Sequence, residues 1–229
     1  MATLFHYPFC PHSRFVRLVL AEYGEPVDLV EERTWERREV FLALNPAGTT
    51  PVLVENDGLA IPGAATIGEY LDETRGVVAE RRLMPADIAG RVELRRLASW
   101  FNDKFFEEVS GPLVTEHIYK RVMPAAQGGG APDSNAMRAA RQNVRYHLAY
   151  IGWLLRGRNW LAGEHLSYAD LAAAAHLSMV DYLGDVPWQH DDIAKNWYAR
   201  IKSRPSFRSI LADTIPGVPA SPTYADLDF

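Results

Sequence analysis

A chain of 229 residues, 48% hydrophobic and 23% charged, has the makeup of an ordinary globular protein and is long enough for one large domain or two modest ones. A net charge of −5 and a pI near 5.8 provide no basic surface for nucleic acid or an anionic membrane. One cysteine excludes an internal disulfide, and no apolar run is long enough for a signal peptide or a membrane span. These features point to a cytoplasmic protein, without a metal site, whose partners are small molecules or other proteins.

Leu4 to Leu20 reads as a short first strand running into a turn that holds Cys10, then a helix starting near Pro11. Proline is tolerated in a first helical turn, and a helix N-terminus stabilises a thiolate placed just before it. Cys10 therefore sits where a thiol would be most reactive, although a lone cysteine equally serves as a small buried hydrophobe. Tyr23-Gly24-Glu25-Pro26 closes the helix. Val27 to Val30 forms a second strand, parallel to the first through a right-handed crossover. Glu31 to Glu39 is a charged segment holding one exposed-looking aromatic, Trp35, and Arg37 to Leu42 forms a short helix. Val52 to Glu55 and Leu59 to Ile61 make an antiparallel hairpin around Asn56-Asp57-Gly58, where Asp-Gly is the turn signal. A helix follows from about Ala64 to Thr74.

Gly76 to Pro85 has the polar character of a linker, and everything beyond Ala86 is helical. Asp87 to about Tyr119 carries Val92, Leu97, Trp100, Phe101 and Phe105 at helical spacing, a core face. The Gly128-Gly129-Gly130 run breaks it, and a second long helix covers Ser134 to Arg156, with Arg138, Arg141 and Arg145 on one side. Ser167 and Asp170 form a Ser-x-x-Asp capping pair, with Leu166 and Leu171 as hydrophobic staple, which gives Asp170 a folding role rather than a catalytic one. Asn196 to Arg204 is a further helix. About twenty residues follow, with Pro216, Pro219 and Pro222, ending Tyr224-Ala225-Asp226-Leu227-Asp228-Phe229 and holding no Lys or Arg. Such a tail forms no core of its own; it is docked on the body or free for a partner. The expected units are residues 1–76, a linker 77–86, an all-α domain 87–212 and an extension 213–229.

Three stretches carry a family resemblance: Cys10-Pro11 with Arg17-Leu18-Val19-Leu20, Asn45 to Val54 with Thr50-Pro51 at its centre, and Trp160 to Leu171. In this order they resemble the glutathione S-transferase superfamily over residues 1 to about 212. The resemblance implies an α/β thioredoxin-like N-terminal domain followed by an all-α C-terminal domain. It places Cys10 where omega-type members have a catalytic cysteine, and Ser13 where a dithiol glutaredoxin has its second one. It implies a cis Pro51, with the Thr50 backbone pairing with the cysteinyl part of glutathione. Family members usually carry Glu or Gln and then Ser where this chain has Gly63 and Ala64. Two contacts to glutathione are thereby lost, each worth roughly 1.5–3 kcal/mol, or together about two to four orders of magnitude in affinity.

More narrowly, Gly63-Ala64, the 128–130 loop and the ending resemble transferase-like bacterial division proteins that bind the tubulin homologue FtsZ. That likeness implies a non-catalytic, homodimeric adaptor without cofactor, found in the cytoplasm at the division site. It would bind FtsZ filaments, affect their curvature and help regulate septal wall synthesis. Trp35, Tyr224, Asp226, Leu227, Asp228 and Phe229 are the expected partner-binding residues. The alternative is a glutathione-dependent transferase or thiol reductase using Cys10.

Overall fold

The computed structural model describes residues 1–78 and 82–227; Ala79 to Arg81 of the expected linker, and Asp228 and Phe229 of the expected partner site, lie outside them. Strand β1 (Thr3–His6) leads into helix α1 (Pro11–Tyr23), which returns as β2 (Asp28–Glu31), parallel to β1 with Thr3 opposite Asp28. Gly24 ends α1 in the left-handed region, φ 71°, where its N–H reaches the last free carbonyls. Nearly every residue of α1 from Pro11 to Leu20 is buried, because the helices at Ala64–Leu71 and Tyr168–Tyr182 both pack on it and it shares one apolar core with Leu4 and Leu53 of the sheet. Arg14 and Arg17 are buried with it and require partners.

A short 3-10 turn (Thr34–Glu36) and α2 (Glu39–Leu44) come next; α2 starts two residues later than expected, after Arg38 takes extended backbone. The Thr50–Pro51 bond is cis, as expected. Strands β3 (Val52–Val54) and β4 (Ala60–Pro62) pair antiparallel across the Asp57-Gly58 turn, completing a sheet of order β2-β1-β3-β4. Helix α3 (Ala64–Leu71) runs on into a wider turn at Asp72–Gly76. There the Asp72 carboxylate pairs with Arg82 and accepts the Met84 N–H at 3.2 Å, while Tyr23 and Tyr168 share a hydrogen bond of 2.9 Å. The start of the second half is thus fastened to the first.

Helix α4 (Ile88–Ser99), capped by Asp87, continues through wide turns at Trp100–Ser110, α5 (Gly111–Val114), another wide turn at Thr115–Tyr119 and α6 (Lys120–Val122) as one bent rod. Leu97, Phe101 and Phe105 of the expected face are fully buried, but Val92 is 62% exposed: the helix start points that position outward. Asp133 caps α7 (Ser134–Leu155), on which Arg141 pairs with Asp185 at 2.6 Å.

Helix α8 (Tyr168–Tyr182) is buried along its whole length, and Ala172 to Ala175 let its neighbours approach closely. It begins with the expected capping box: the Asp170 carboxylate accepts Ser167 N–H and Oγ–H at 3.0 and 2.8 Å, Leu161 N–H at 2.9 Å and Trp197 Nε1–H at 3.0 Å. Helix α9 (Asp192–Lys202) starts four residues before the expected Asn196, because Asp191 caps it by accepting Ala194 N–H. The chain ends through α10 (Arg208–Leu211) and α11 (Pro222–Ala225).

The tail corrects an expectation, since the fold does not close near Leu211. Asp213 holds Arg17 at 2.7 Å and Arg14 at 3.2 Å, supplying the charge those buried guanidinium groups need. Ile215 and Tyr224 join Phe9, Val114, Ile118, Met179 and Tyr182 in a second apolar core. Ile215 N–H donates to the Tyr182 hydroxyl, and the Tyr182 hydroxyl donates to the Val218 carbonyl.

Candidate functional site

Cys10 is the residue immediately before α1, in extended backbone, with Pro11 as the first helical residue and no side chain capping the helix. Its sulfur faces the Thr50 carbonyl at 3.8 Å, so the turn after β1 and the loop before β3 meet there. Gly63, at φ 90°, and Ala64 close the opposite wall at the start of α3. The cavity they enclose, about 350 Å³, is completed by His12, Thr34, Thr49, Phe106 and Tyr119. Ser13 is fully buried behind this wall and accepts the Tyr7 N–H at 3.3 Å.

Sequence reasoning singled out Cys10, Ser13, Thr50, Pro51, Gly63 and Ala64, and missed His12, only two residues from Cys10. His12 Nε2 lies 2.8 Å from the Asn102 carbonyl. A carbonyl only accepts, so Nε2 carries the proton in the neutral ring and Nδ1 does not. Burial pushes the Cys10 thiol up, but the His12 hydrogen bond and charge, with help from Ser13, bring it down to about 7. Burial acts to lower His12, but the Cys10 partnership, the Asn102 carbonyl and Asp103 together raise it. Each member of the pair thus favours the charged form of the other.

Behind His12, the fully buried His176 packs edge-on at 5.1 Å between ring centres. It is bound to Ser110 at 2.8 Å and to the Asn102 side chain at 3.3 Å. Burial first, and the His12 charge second, hold its pKa well below the usual histidine range, so it stays neutral at pH 7. The only trace of this network in the sequence was His12 itself, a titratable side chain at a helix start beside a cysteine.

The expected partner-binding residues separate. Trp35 is half-buried rather than exposed, packed edge-on against Tyr7 at 5.3 Å and tilted on Tyr119 at 5.8 Å, beside the cavity wall. Tyr224 is 1% exposed; its hydroxyl donates to the Ile210 carbonyl at 2.8 Å and its ring meets Tyr182. It is a packing residue, because it fills the second core. Asp226 and Leu227 lie at the surface, with Leu227 41% exposed. Among the described residues no helix is long and apolar enough to cross a membrane.

Against known families, residues 4–80 match the glutathione S-transferase N-terminal domain and residues 101–205 match the glutathione S-transferase C-terminal domain. The chain is 47% identical over 230 residues to FtsZ-localized protein A of Caulobacter vibrioides, covering 99% of this chain and 98% of that one. Among solved structures, a glutathione S-transferase from Sinorhizobium meliloti 1021 superimposes with TM-score 0.97 at 53% identity over all of both chains. FzlA from C. crescentus does so with TM-score 0.92 at 47% identity, over 100% of this chain and 99% of that one.

Proposed function

We propose, because this chain belongs to the glutathione S-transferase family and matches an FtsZ-localized relative from end to end, that it is a transferase-like adaptor associated with FtsZ at the division site. The observation that carries this reading is the full-length 47% identity, which includes the tail beyond the family's C-terminal domain model. The cavity supports it from the other direction. Gly63 offers no carboxylate and Ala64 no hydroxyl at the start of α3, where family members hold the γ-glutamyl group, which favours an adaptor over a glutathione-dependent enzyme. In this reading the adaptor binds filaments, affects their curvature and helps regulate septal wall synthesis. A two-fold homodimer would present two copies of each contact to one filament, which suits bending by avidity. Co-sedimentation with purified FtsZ polymerised by GTP tests it: the protein pellets with polymer and stays soluble with unpolymerised FtsZ. Equal recovery in the supernatant of both would end the reading.

A second reading, a glutathione-dependent transferase or thiol reductase, is favoured by the Cys10 and His12 pairing in an open cavity. Titration calorimetry with glutathione separates the two. A dissociation constant well below millimolar, with turnover of a chlorinated aromatic acceptor, would favour the enzyme.

A further inference from the structure

We propose that the cleft between the end of α7 and α9 binds a small organic monoanion, a carboxylate carried on a short apolar body, with Arg200 as its counter-charge. Ile193, Asn196, Trp197 and Arg200 follow one another at helical spacing along α9 and so share one face of it. Facing them are Leu155 at the end of α7 and Arg158 with Asn159 in the loop that follows. The space between is about 360 Å³, within the roughly 300–1,000 Å³ of small-molecule sites.

Both walls are braced by the same carboxylate oxygen. Oδ1 of the fully buried Asp170 accepts Leu161 N–H at 2.9 Å on the loop side and Trp197 Nε1–H at 3.0 Å on the helix side. The Leu161 carbonyl in turn accepts from Arg158 at 2.7 Å, and Trp160 and Gly163 exchange backbone hydrogen bonds of 2.8 and 3.1 Å. The Arg200 guanidinium lies 3.8 Å over the ring of this fixed Trp160 and donates to the Asn159 carbonyl. A surface arginine ordinarily loses side-chain freedom when it captures an anion. This one is already held, so less is lost.

Charge and shape choose the ligand. No Asp or Glu lines the cleft. Arg158 already pairs with Glu93 at 2.7 Å, whereas among the described residues no carboxylate pairs with Arg200. One positive charge is therefore left without a counter-charge, which a monoanion matches and a phosphate dianion exceeds. The planar guanidinium fork suits a carboxylate, and Asn196, one turn away, adds an amide donor. Leu155, the Trp197 ring and Ile193, 41% exposed, cover the apolar body. An ammonium would instead meet Arg200 as a like charge.

None of these residues lines the Cys10 cavity, so the inference is independent of both readings of function. Equilibrium dialysis of the full-length protein against radiolabelled hexanoate tests it, in a buffer free of phosphate and of other carboxylates. Binding should saturate at one site per chain, be half-complete below about 1 mM, weaken as salt rises and resist excess glutathione. Hexanamide and hexylamine, with the same chain, should compete at least about tenfold less well. Arg200→Gln should weaken binding about tenfold or more, and Arg200→Lys, which keeps the charge but not the fork or the stacking, about threefold or more. Ile193→Glu supplies the cleft with a carboxylate of its own from an exposed position. It should abolish binding with an unchanged melting temperature, so loss of the site is read apart from loss of the fold. The inference falls if binding does not saturate, if Arg200→Gln and Ile193→Glu both bind like the native chain, or if hexanamide competes as well as hexanoate. It falls too if glutathione displaces hexanoate, which would assign the ligand to the Cys10 cavity. Displacement by sulfate as effective as by unlabelled hexanoate would reveal only surface charge, and uptake solely of an end-blocked peptide with an internal glutamate would assign the cleft to a protein segment; either result also overturns it.

Discussion

Gly63 holds φ 90°, a conformation that costs glycine little and a bulkier residue about 1–3 kcal/mol. Gly63→Glu should therefore lower the melting temperature, while Ala64→Ser, on a helix in ordinary backbone, should leave it nearly unchanged. The double variant should bind glutathione measurably more tightly than the native chain, whose dissociation constant is expected at millimolar or weaker by calorimetry. Cys10→Ser should leave co-sedimentation with FtsZ intact. His6 gives a pH prediction. It is 5% exposed, and burial first, then the Arg17 charge, lower its pKa to about 4 against a partial rise from Asp213. A histidine depressed in the folded state is protonated first in the unfolded chain, so stability is lost as pH falls from about 6.5 to 4. The loss reaches roughly 3 kcal/mol at pH 4. Thermal melts across that range should show the decline, and His6→Gln should flatten it; parallel curves would rule His6 out.

The tail and α8 divide packing from recognition. Asp170 is fully buried and accepts four hydrogen bonds. Asp170→Ala strands those donors and should cost about 2–5 kcal/mol in a denaturant titration. Tyr224→Ala should cost about 3–5 kcal/mol by opening the second core. Removing residues 226–229, or reversing charge with Asp228→Lys, should instead leave the melting temperature nearly unchanged and weaken co-sedimentation with FtsZ. If the shortened protein pellets as well as the full chain, the contact surface must be sought near Trp35. Elements written in a few consecutive residues were legible beforehand: strand, turn and helix around Cys10-Pro11, the Asp57-Gly58 hairpin, and the Ser167 to Asp170 cap. Tyr224 was not, because a tail rich in proline and acids reads as polar chain until the groove that receives it is built from Phe9, Met179 and Tyr182.

The same limit governs the molecule at large. The order of its two halves could be read from motifs, but the contacts that tie them together join residues far apart: His12 reaches Asn102 across 90 positions and Arg14 reaches Asp213 across 199. No local pattern announces such pairs. Assembly is expected to follow the family's two-fold pairing, and light scattering at micromolar concentration should give twice the 25.7 kDa of one chain. A single-chain mass would refute it. The Arg14 clamp also bears on how the protein comes off the ribosome. Its guanidinium, wholly shielded from solvent, lies against the Phe9 ring and donates to the Pro8 carbonyl, Ser178 and Asp213. Two of those acceptors are translated long after α1 emerges, the last by roughly ten to forty seconds at ordinary elongation rates. Until then the nascent first half holds two cations it cannot both bury and neutralise, so it must wait, loosely formed, for the end of its own chain. A fragment of residues 1–78 should accordingly show little amide protection in hydrogen exchange, and adding the remainder of the chain in trans should restore it.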